Sequence, residues 1–143
     1  SSPPLANPQA MRPLRQPSSS ISHGFDVHVV FDSTAQNEAQ ALFEAFKSAL
    51  DSEGISYDRP ILFESPVGPW PCPMWQILLP AGPSTLNDLG YCVSWMMLNR
   101  GPFSVMIHPN TRSENDGGGP YEDHSKNMLW LGNSIPLKLE TLR

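Results

Sequence analysis

The chain has 143 residues and a formal net charge of −5, and its nine Lys and Arg residues are scattered along it. This length predicts one globular domain over residues 23–143, preceded by a Pro- and Ser-rich arm over residues 1–22. Without a basic stripe we expect no nucleic-acid partner. No apolar run approaches the roughly 18 residues of a membrane span, so we expect no membrane partner.

The two cysteines, Cys72 and Cys92, fall in different predicted elements and form no Cys-x-x-Cys motif. This usage is typical of reduced thiols in a cytosolic protein. The N-terminal arm has no apolar segment of the kind found in secretory signals. We therefore predict a cytoplasmic location.

Apolar side chains that recur at strand or helix spacing divide the domain into alternating elements. In chain order they predict a strand over 25–31, a helix within 33–54, strands over 60–64 and 74–79, a helix over 82–100, a strand over 103–108 and a short extended segment over 128–131. The order β-α-β-β-α-β is that of the ferredoxin-like split β-α-β sandwich. We therefore predict an α+β fold in which one sheet carries two helices on one face.

Strand parity places three polar side chains on the sheet face that has no helices. Side chains alternate between the two faces of a strand. Asp26 and His28 therefore point away from their apolar neighbours in the first strand, and His108 does so in the fourth strand, over 103–108. In this topology the first and fourth strands are antiparallel neighbours in the middle of the sheet. The end of the fourth strand then lies beside the start of the first, so we expect His108 near Asp26 and His28.

Such a cluster has the chemistry of a metal site. The carboxylate of Asp26 and the imidazoles of His28 and His108 can bind Fe(II) or another divalent ion and leave positions open for substrate and oxygen. His124 follows a glycine-rich loop that can bring it to the cluster, as a further ligand or as a general acid or base. All four are candidate catalytic residues.

Each of these residues also has an ordinary structural explanation. Asp26 and the Asp123–His124 pair can cap turns or a helix, and His28 can be a hydrogen-bonded sheet residue. His108, followed by Pro109, can simply mark the end of a strand. The convergence of the four residues favours the functional interpretation.

An aromatic, partly cationic substrate site is predicted around the cluster. Trp70 lies in a proline-stiffened loop, where its position least requires a packing role, and Trp75 and Trp130 are further candidates. Trp95, on the second helix, is expected in the core. Arg100 can either interact with the last carbonyls of that helix or bind a substrate carboxylate or phenolate.

Several segments together resemble the DOPA 4,5-dioxygenase family, whose members are fungal and bacterial. The resemblance covers roughly residues 24–142 and is carried by DVHVVF (26–31), PVGPWP (66–71), LNRGPFSVMIHPNT (98–111), EDHSKNMLWLG (122–132) and PLKLETL (136–142). It implies a ferredoxin-like fold, extradiol cleavage of a catechol ring at a non-haem iron, and a homodimer. It also favours substrate binding by Arg100, which lies in the matching Asn-Arg-Gly run.

Two positions depart from the family pattern. The family usually begins its first strand with His-x-His, where this chain has Asp26-Val27-His28, and it usually has Gly-Pro-His-Pro where this chain has Gly-Pro-Trp70-Pro. A carboxylate at position 26 can still bind Fe(II). An indole at position 70 offers no lone pair for a metal or a proton.

These departures leave three functions open. The first is an oxygenase that cleaves a catechol or related phenol at a non-haem metal. The second is a metal-free cyclase, isomerase or dehydratase that acts on a small aromatic or polycyclic natural-product intermediate, with Asp and His as acid and base and with no cofactor. The third is a binding module without turnover. The metal content of the purified protein distinguishes the first from the others.

Overall fold

A computed structural model describes residues 14–112 and 118–143 of the chain. Its helices and strands, in chain order, are α1 (Pro17–Ser20), β1 (Phe25–Val30), α2 (Gln36–Ser52), β2 (Asp58–Phe63), β3 (Met74–Leu79), α3 (Thr85–Asn99), β4 (Ser104–Pro109), α4 (Pro120–Ser125) and β5 (Leu129–Leu131). Residues 1–13 of the predicted arm, and Gly117 of the glycine-rich loop, lie outside the described residues. The rest of the arm includes the single helical turn of α1.

The five described strands form one antiparallel sheet in the order β2-β3-β1-β4-β5. The first four strands and the helices α2 and α3 have the predicted ferredoxin-like arrangement, so the α+β fold class is confirmed. The predicted strand boundaries are shifted by up to two residues. The short helix α4, which begins at Pro120 after the glycine-rich loop, was not predicted.

The main core lies between the sheet and the two long helices. Side chains of α2 and α3, such as Phe46 and Met96, pack there against the apolar faces of β1, β3 and β4. The opposite sheet face carries a smaller apolar cluster of Val30, Trp70, Met74 and Met106. Burial of the apolar side chains in these two layers stabilises the fold by about 25 cal/mol for each Å² of apolar surface removed from water.

The two cysteines are unpaired and lie on opposite faces of the sheet. Burial raises the pKa of the Cys92 thiol, in the main core, to about 12. Within residues 14–112 and 118–143, no helix has the length and apolar character needed to cross a membrane.

The start of strand β1, which carries Asp26 and His28, depends on one glycine. Gly24 precedes β1 with a φ of 72°, and a Cβ at this position would overlap the carbonyl oxygen of Leu79. Its own carbonyl accepts a hydrogen bond of 2.8 Å from the backbone N–H of Asn110. Because only glycine permits this close approach and this φ, Gly24 sets the register of β1 between β3 and β4.

Candidate metal centre

The central strands place Asp26, His28 and His108 together on the sheet face opposite the helices. Asp26 is directly paired with His108 across β1 and β4. The Nε2 atoms of His28 and His108 are 3.0 Å apart, and Oδ2 of Asp26 lies 3.7 Å and 3.6 Å from them. The structure therefore brings these three residues together, at the place that strand parity indicated.

His124 completes the cluster from α4. Its ring centroid is 4.0 Å from that of His108 and 6.3 Å from that of His28. One ligand atom from each of the three histidines falls within 4.8 Å of the others. The sequence interpretation treated Asp26, His28 and His108 as the metal set, whereas this geometry makes His28, His108 and His124 the compact group.

Backbone carbonyls orient two of the rings. Nδ1 of His108 donates to the carbonyl oxygen of Pro109 at 2.9 Å, and Nδ1 of His124 donates to that of Pro120 at 2.7 Å. In a neutral imidazole with a proton on Nδ1, Nε2 keeps its lone pair. Metal-binding histidines commonly donate their second ring N–H in this way. These two rings therefore present Nε2 as a ligand atom.

The third ring, His28, is fully enclosed. Its Nδ1 is a buried polar atom without a hydrogen-bond partner among the described residues. The ring of Trp70 packs on it at a centroid distance of 4.5 Å, with 41° between the planes. Packing therefore holds the His28 ring in place. Its Nε2 atom makes the polar contacts with His108 and Asp26.

Burial keeps two of the rings neutral. The pKa of His28 lies well below its ordinary value of 6.5, first because burial disfavours the charged ring and then because His108, His124 and Arg59 would repel a proton. Burial and His108 also lower the pKa of His124 to about 4, against smaller raising effects of the Pro120 carbonyl, Asp26 and Asp123. Neutral imidazole is the form that binds metal.

This donor set fits a divalent ion. The 3.0 Å between the two Nε2 atoms matches the separation of adjacent ligands around an ion with octahedral bonds of about 2.1 Å. The Asp26 carboxylate is close enough to become a fourth ligand, and its other oxygen accepts a 3.0 Å hydrogen bond from Nδ2 of Asn110. Imidazole and carboxylate ligands suit Fe(II) among other ions.

A buried carboxylate holds the helix that carries His124. Asp123 accepts hydrogen bonds of 2.8 Å from both the backbone N–H and the hydroxyl of Thr111, and one of 3.1 Å from Asn127. The Thr111 hydroxyl in turn accepts a 2.8 Å bond from the backbone N–H of Gly119. Asp123 thus ties the end of β4 to the start of α4 and positions the next residue, His124.

A cavity of about 560 Å³ opens beside the histidines. It has an apolar contact at Leu78 and is otherwise lined by polar or charged residues, namely His23, Asp26, Arg59, His108, Asn110, Thr111, Arg112, Asp123 and His124, together with Pro120. Arg59, Asn110, Thr111 and Arg112 were not among the predicted site residues. The Arg-Pro pair within a strand was the available signal for Arg59, because proline in a strand marks an edge or a bulge.

The four residues predicted to bind substrate are not in the lining of this cavity. Trp75 is buried in the main core, where its indole N–H donates to the Ala39 carbonyl at 2.9 Å. Trp70 is 3% exposed and lies behind His28. Trp130 pairs with Met106 at the β5 edge.

Arg100 is also occupied elsewhere. Its guanidinium donates to the carbonyl oxygens of Phe103 at 3.1 Å and Gly101 at 3.5 Å. It fills the space beside Gly132, where a Cβ would come within 2.6 Å of the Arg100 Nη1 atom. Its carbonyl partners lie in the turn after α3 and not in the last turn of that helix, where the sequence alternative placed them.

The neutral state of the histidines predicts an acid-labile apoprotein. Unfolding lets His28 and His124 take up protons near their ordinary pKa of 6.5, whereas the folded protein resists this until about pH 4 for His124. The two neutral rings should therefore not lower the free energy of unfolding above pH 6.5. It should fall with pH below that value by on the order of 1 kcal/mol per pH unit for each histidine.

Urea denaturation of the metal-free protein at intervals between pH 7 and pH 4 measures this slope. The variant His124→Gln has no ring to protonate, so its slope should be shallower than that of the wild type. Equal slopes for the two proteins would contradict the assignment.

Comparison with known proteins gives related sequences. The Dopa 4,5-dioxygenase family model matches residues 25–141. An uncharacterized 21.2 kDa protein of Botryotinia fuckeliana is 30% identical over 131 residues, covering 87% of this chain and 66% of that protein. The DOPA 4,5-dioxygenase of Amanita muscaria is 29% identical over 119 residues, covering 80% of this chain and 47% of that protein. The chain thus spans about half to two thirds of the length of these curated relatives.

A solved structure is similar as well. It is the crystal structure of a Nostoc punctiforme protein provisionally classed as a dioxygenase, with a TM-score of 0.70 and 26% sequence identity. The similarity covers 90% of this chain and 96% of that chain. Nine tenths of this chain therefore has a counterpart in a solved structure.

Proposed function

We propose an oxygenase activity for this chain, which belongs to the Dopa 4,5-dioxygenase family. The proposed reaction is extradiol cleavage of a catechol or related phenol, and the proposed cofactor is Fe(II) held by His28, His108 and His124, with Asp26 as a further ligand. The observation that carries the proposal is the convergence of three histidine ligand atoms within 4.8 Å. Fe(II) bound there would supply open coordination positions for substrate and dioxygen.

The residues around this centre have distinct roles in the proposed reaction. His28 is enclosed and acts only as a ligand. Asp26 faces the cavity with Oδ1 oriented by Asn110, so its carboxylate can accept a proton from a phenolic hydroxyl. His124 lines the cavity, and its low pKa keeps the ring neutral near pH 7, which is the form that can bind the metal through Nε2.

Anaerobic purification followed by metal analysis tests the proposal. We expect a stoichiometric amount of iron, or stoichiometric uptake of Fe(II) by the apoprotein, and oxygen consumption when catechols are added. A protein that binds no divalent metal but still converts an aromatic substrate would instead support the metal-free acid–base enzyme.

The Trp70 position offers a separate test of the family reaction. Trp70→His introduces an imidazole beside His28, at the position where the family usually has histidine, and should raise catechol cleavage if the protein is a diverged oxygenase. Trp70→Phe is the matched control, because it keeps an apolar ring without a ligand atom. Both changes shorten a buried side chain and should cost a few kcal/mol of stability.

Oxygen uptake with a set of catechols, normalised to bound iron, measures the effect. A lower rate in Trp70→His than in Trp70→Phe would contradict the diverged-oxygenase interpretation. It would favour a packing role for the indole in a different reaction.

We also propose that the chain forms a homodimer, as its family resemblance implies. Apolar side chains are exposed at both edges of the sheet, with Ile61 on β2 at 38% and Leu129 on β5 at 44%. Exposed sheet edges can pair with a second copy. Light scattering at micromolar concentration should give twice the chain mass, and a monomer there would contradict the proposal.

A further inference from the structure

The cavity has a second end, which lies across the sheet from the histidines. In the sheet register Asp26 is paired with His108 on one side and with Leu78 on the other. Leu78 is paired in turn with Asp58 on the edge strand β2. Paired residues point to the same face, and neighbouring strands are about 4.8 Å apart. Leu78 therefore forms an apolar floor between the metal centre and β2.

A bulge in β2 turns an arginine toward this floor. Leu78 on β3 is paired with Asp58 on β2, and Gln76 is paired with Ile61. The chain therefore moves three positions along β2 while it moves two along β3. The extra residue falls at Arg59-Pro60, and Arg59 rather than Asp58 lines the cavity. Bulges of this kind redirect side chains and are frequent beside active sites.

The backbone of Arg59 is strained. It has a φ of 51° and is the one non-glycine residue with positive φ within residues 14–112 and 118–143. The left-handed region costs an ordinary residue about 1 kcal/mol or more, and a following proline restricts the backbone further. Such conformations tend to persist at ligand sites, where the surrounding structure enforces them.

Two arginines line the cavity: Arg59 belongs to the edge strand β2, and Arg112 follows the end of β4. Among the described residues neither forms an ion pair with a carboxylate. The two acidic residues of the lining are already engaged, Asp123 by Thr111 and Asn127, and Asp26 by Asn110. Within residues 14–112 and 118–143, Arg59 therefore has no carboxylate partner, and its guanidinium is available to an incoming anion.

We propose that Arg59 is a specificity-determining residue that binds a carboxylate on the substrate. The substrate class is an aromatic acid, with its ring over Leu78, its hydroxyl-bearing end at the histidines and its carboxylate at Arg59. This inference rests on the proposed function for the chemistry at the ring. The binding of the carboxylate itself requires no turnover. A planar guanidinium suits a carboxylate because it can donate two parallel hydrogen bonds.

Calorimetric titration of the metal-free protein tests this assignment. The probes are 3-(3,4-dihydroxyphenyl)propanoate and its carboxamide, which differ in the charge of the side chain. The wild type should bind the acid at least about 10-fold more tightly than the amide, as expected for one charge-assisted contact. Added salt should reduce this preference.

Variants of Arg59 then locate the contact. Arg59→Asn removes the charge and keeps a residue that adopts left-handed backbone readily, so the acid should lose its advantage while the affinity for the amide is unchanged. Arg59→Gly serves as a second variant if the first is poorly folded. Lys47→Gln is the control for net charge, since Lys47 lies on α2 beyond the opposite face of the sheet, and it should preserve the preference.

Three results would overturn the inference: equal affinity of the wild type for acid and amide, no binding of the acid at millimolar concentration, or an unchanged preference in Arg59→Asn. Because metal and oxygen are absent from the titration, failure of catechol cleavage leaves this test intact. Conversely, cleavage of catechols with no preference for the acid would overturn only the role of Arg59.

Discussion

Replacing His108 with alanine should lower the affinity for Fe(II) by more than about 100-fold and abolish oxygen-dependent turnover. Loss of an outer-shell hydrogen bond already costs 10- to 100-fold in metal affinity, and His108 is a direct ligand in the proposed centre. Its Nε2 lies 3.0 Å from that of His28, and its ring is 4.0 Å from that of His124. His28→Ala should have the same effect. Titration of the anaerobic apoprotein with Fe(II) measures the change in affinity.

The fourth histidine of the chain provides the matched control. His23 is exposed at the cavity edge, and its Nδ1 contacts the Ser22 hydroxyl at 2.8 Å, so His23→Ala removes an imidazole outside the compact group. It should leave metal affinity within a few-fold of the wild type. Fe(II) should also raise the unfolding free energy of the wild type, by about 2.7 kcal/mol at 100 times its Kd, and not that of His108→Ala. Retained iron binding and turnover in His108→Ala would make the cluster structural.

Replacing Asp123 with asparagine should destabilise the apoprotein by about 2–4 kcal/mol and weaken Fe(II) binding. The amide group can accept at one position only, so it cannot satisfy both donors of Thr111 and also the amide of Asn127. Hydrogen bonds to a charged group contribute about 1.5–3 kcal/mol each, and a buried donor left unpaired adds a penalty. Since Asp123 fixes the start of α4, metal affinity should fall along with stability.

Glu122→Gln makes the same chemical change one residue earlier. Glu122 pairs at 3.2 Å with Lys126, whose side chain is 65% exposed, and such pairs contribute at most about 1 kcal/mol. Urea denaturation and Fe(II) titration of both variants separate the two effects of Asp123. If Asp123→Asn were to lose stability but bind Fe(II) as tightly as the wild type, Asp123 would stabilise the loop without positioning His124.

The fold followed from the sequence because its signals are local. Alternation in β1 and β4 and helical spacing in α2 and α3 are periodicities of a few residues. They suffice to order the elements and to assign each side chain to a face of the sheet. The same parity placed Asp26, His28 and His108 on one face. The short helix α4 escaped notice because six residues are too few for a periodic pattern, and its start depends on the bonds among Asp123, Thr111 and Gly119.

The cavity could be predicted only in part. Trp70, Trp75 and Trp130 are equally aromatic in the sequence, and only packing distinguishes the core residue Trp75 from Trp70 behind His28. Arg100 and Arg59 are equally basic, yet one guanidinium is held by backbone carbonyls and the other lines the cavity. Such differences depend on contacts between residues far apart in the chain.

The sequence by itself therefore determined the fold class, the face of the sheet that carries the site and three of the four residues nearest its centre, since these depend on side-chain periodicity and strand order. The sequence offered His124 as a further ligand or as a general acid or base. Only the tertiary structure showed how it reaches His28 and His108, because this depends on the Asp123–Thr111 bonds that hold α4 near the end of β4. It also decided which arginine faces the cavity. That choice rests on one extra residue in β2, a register shift that becomes visible only when β2 is paired with β3.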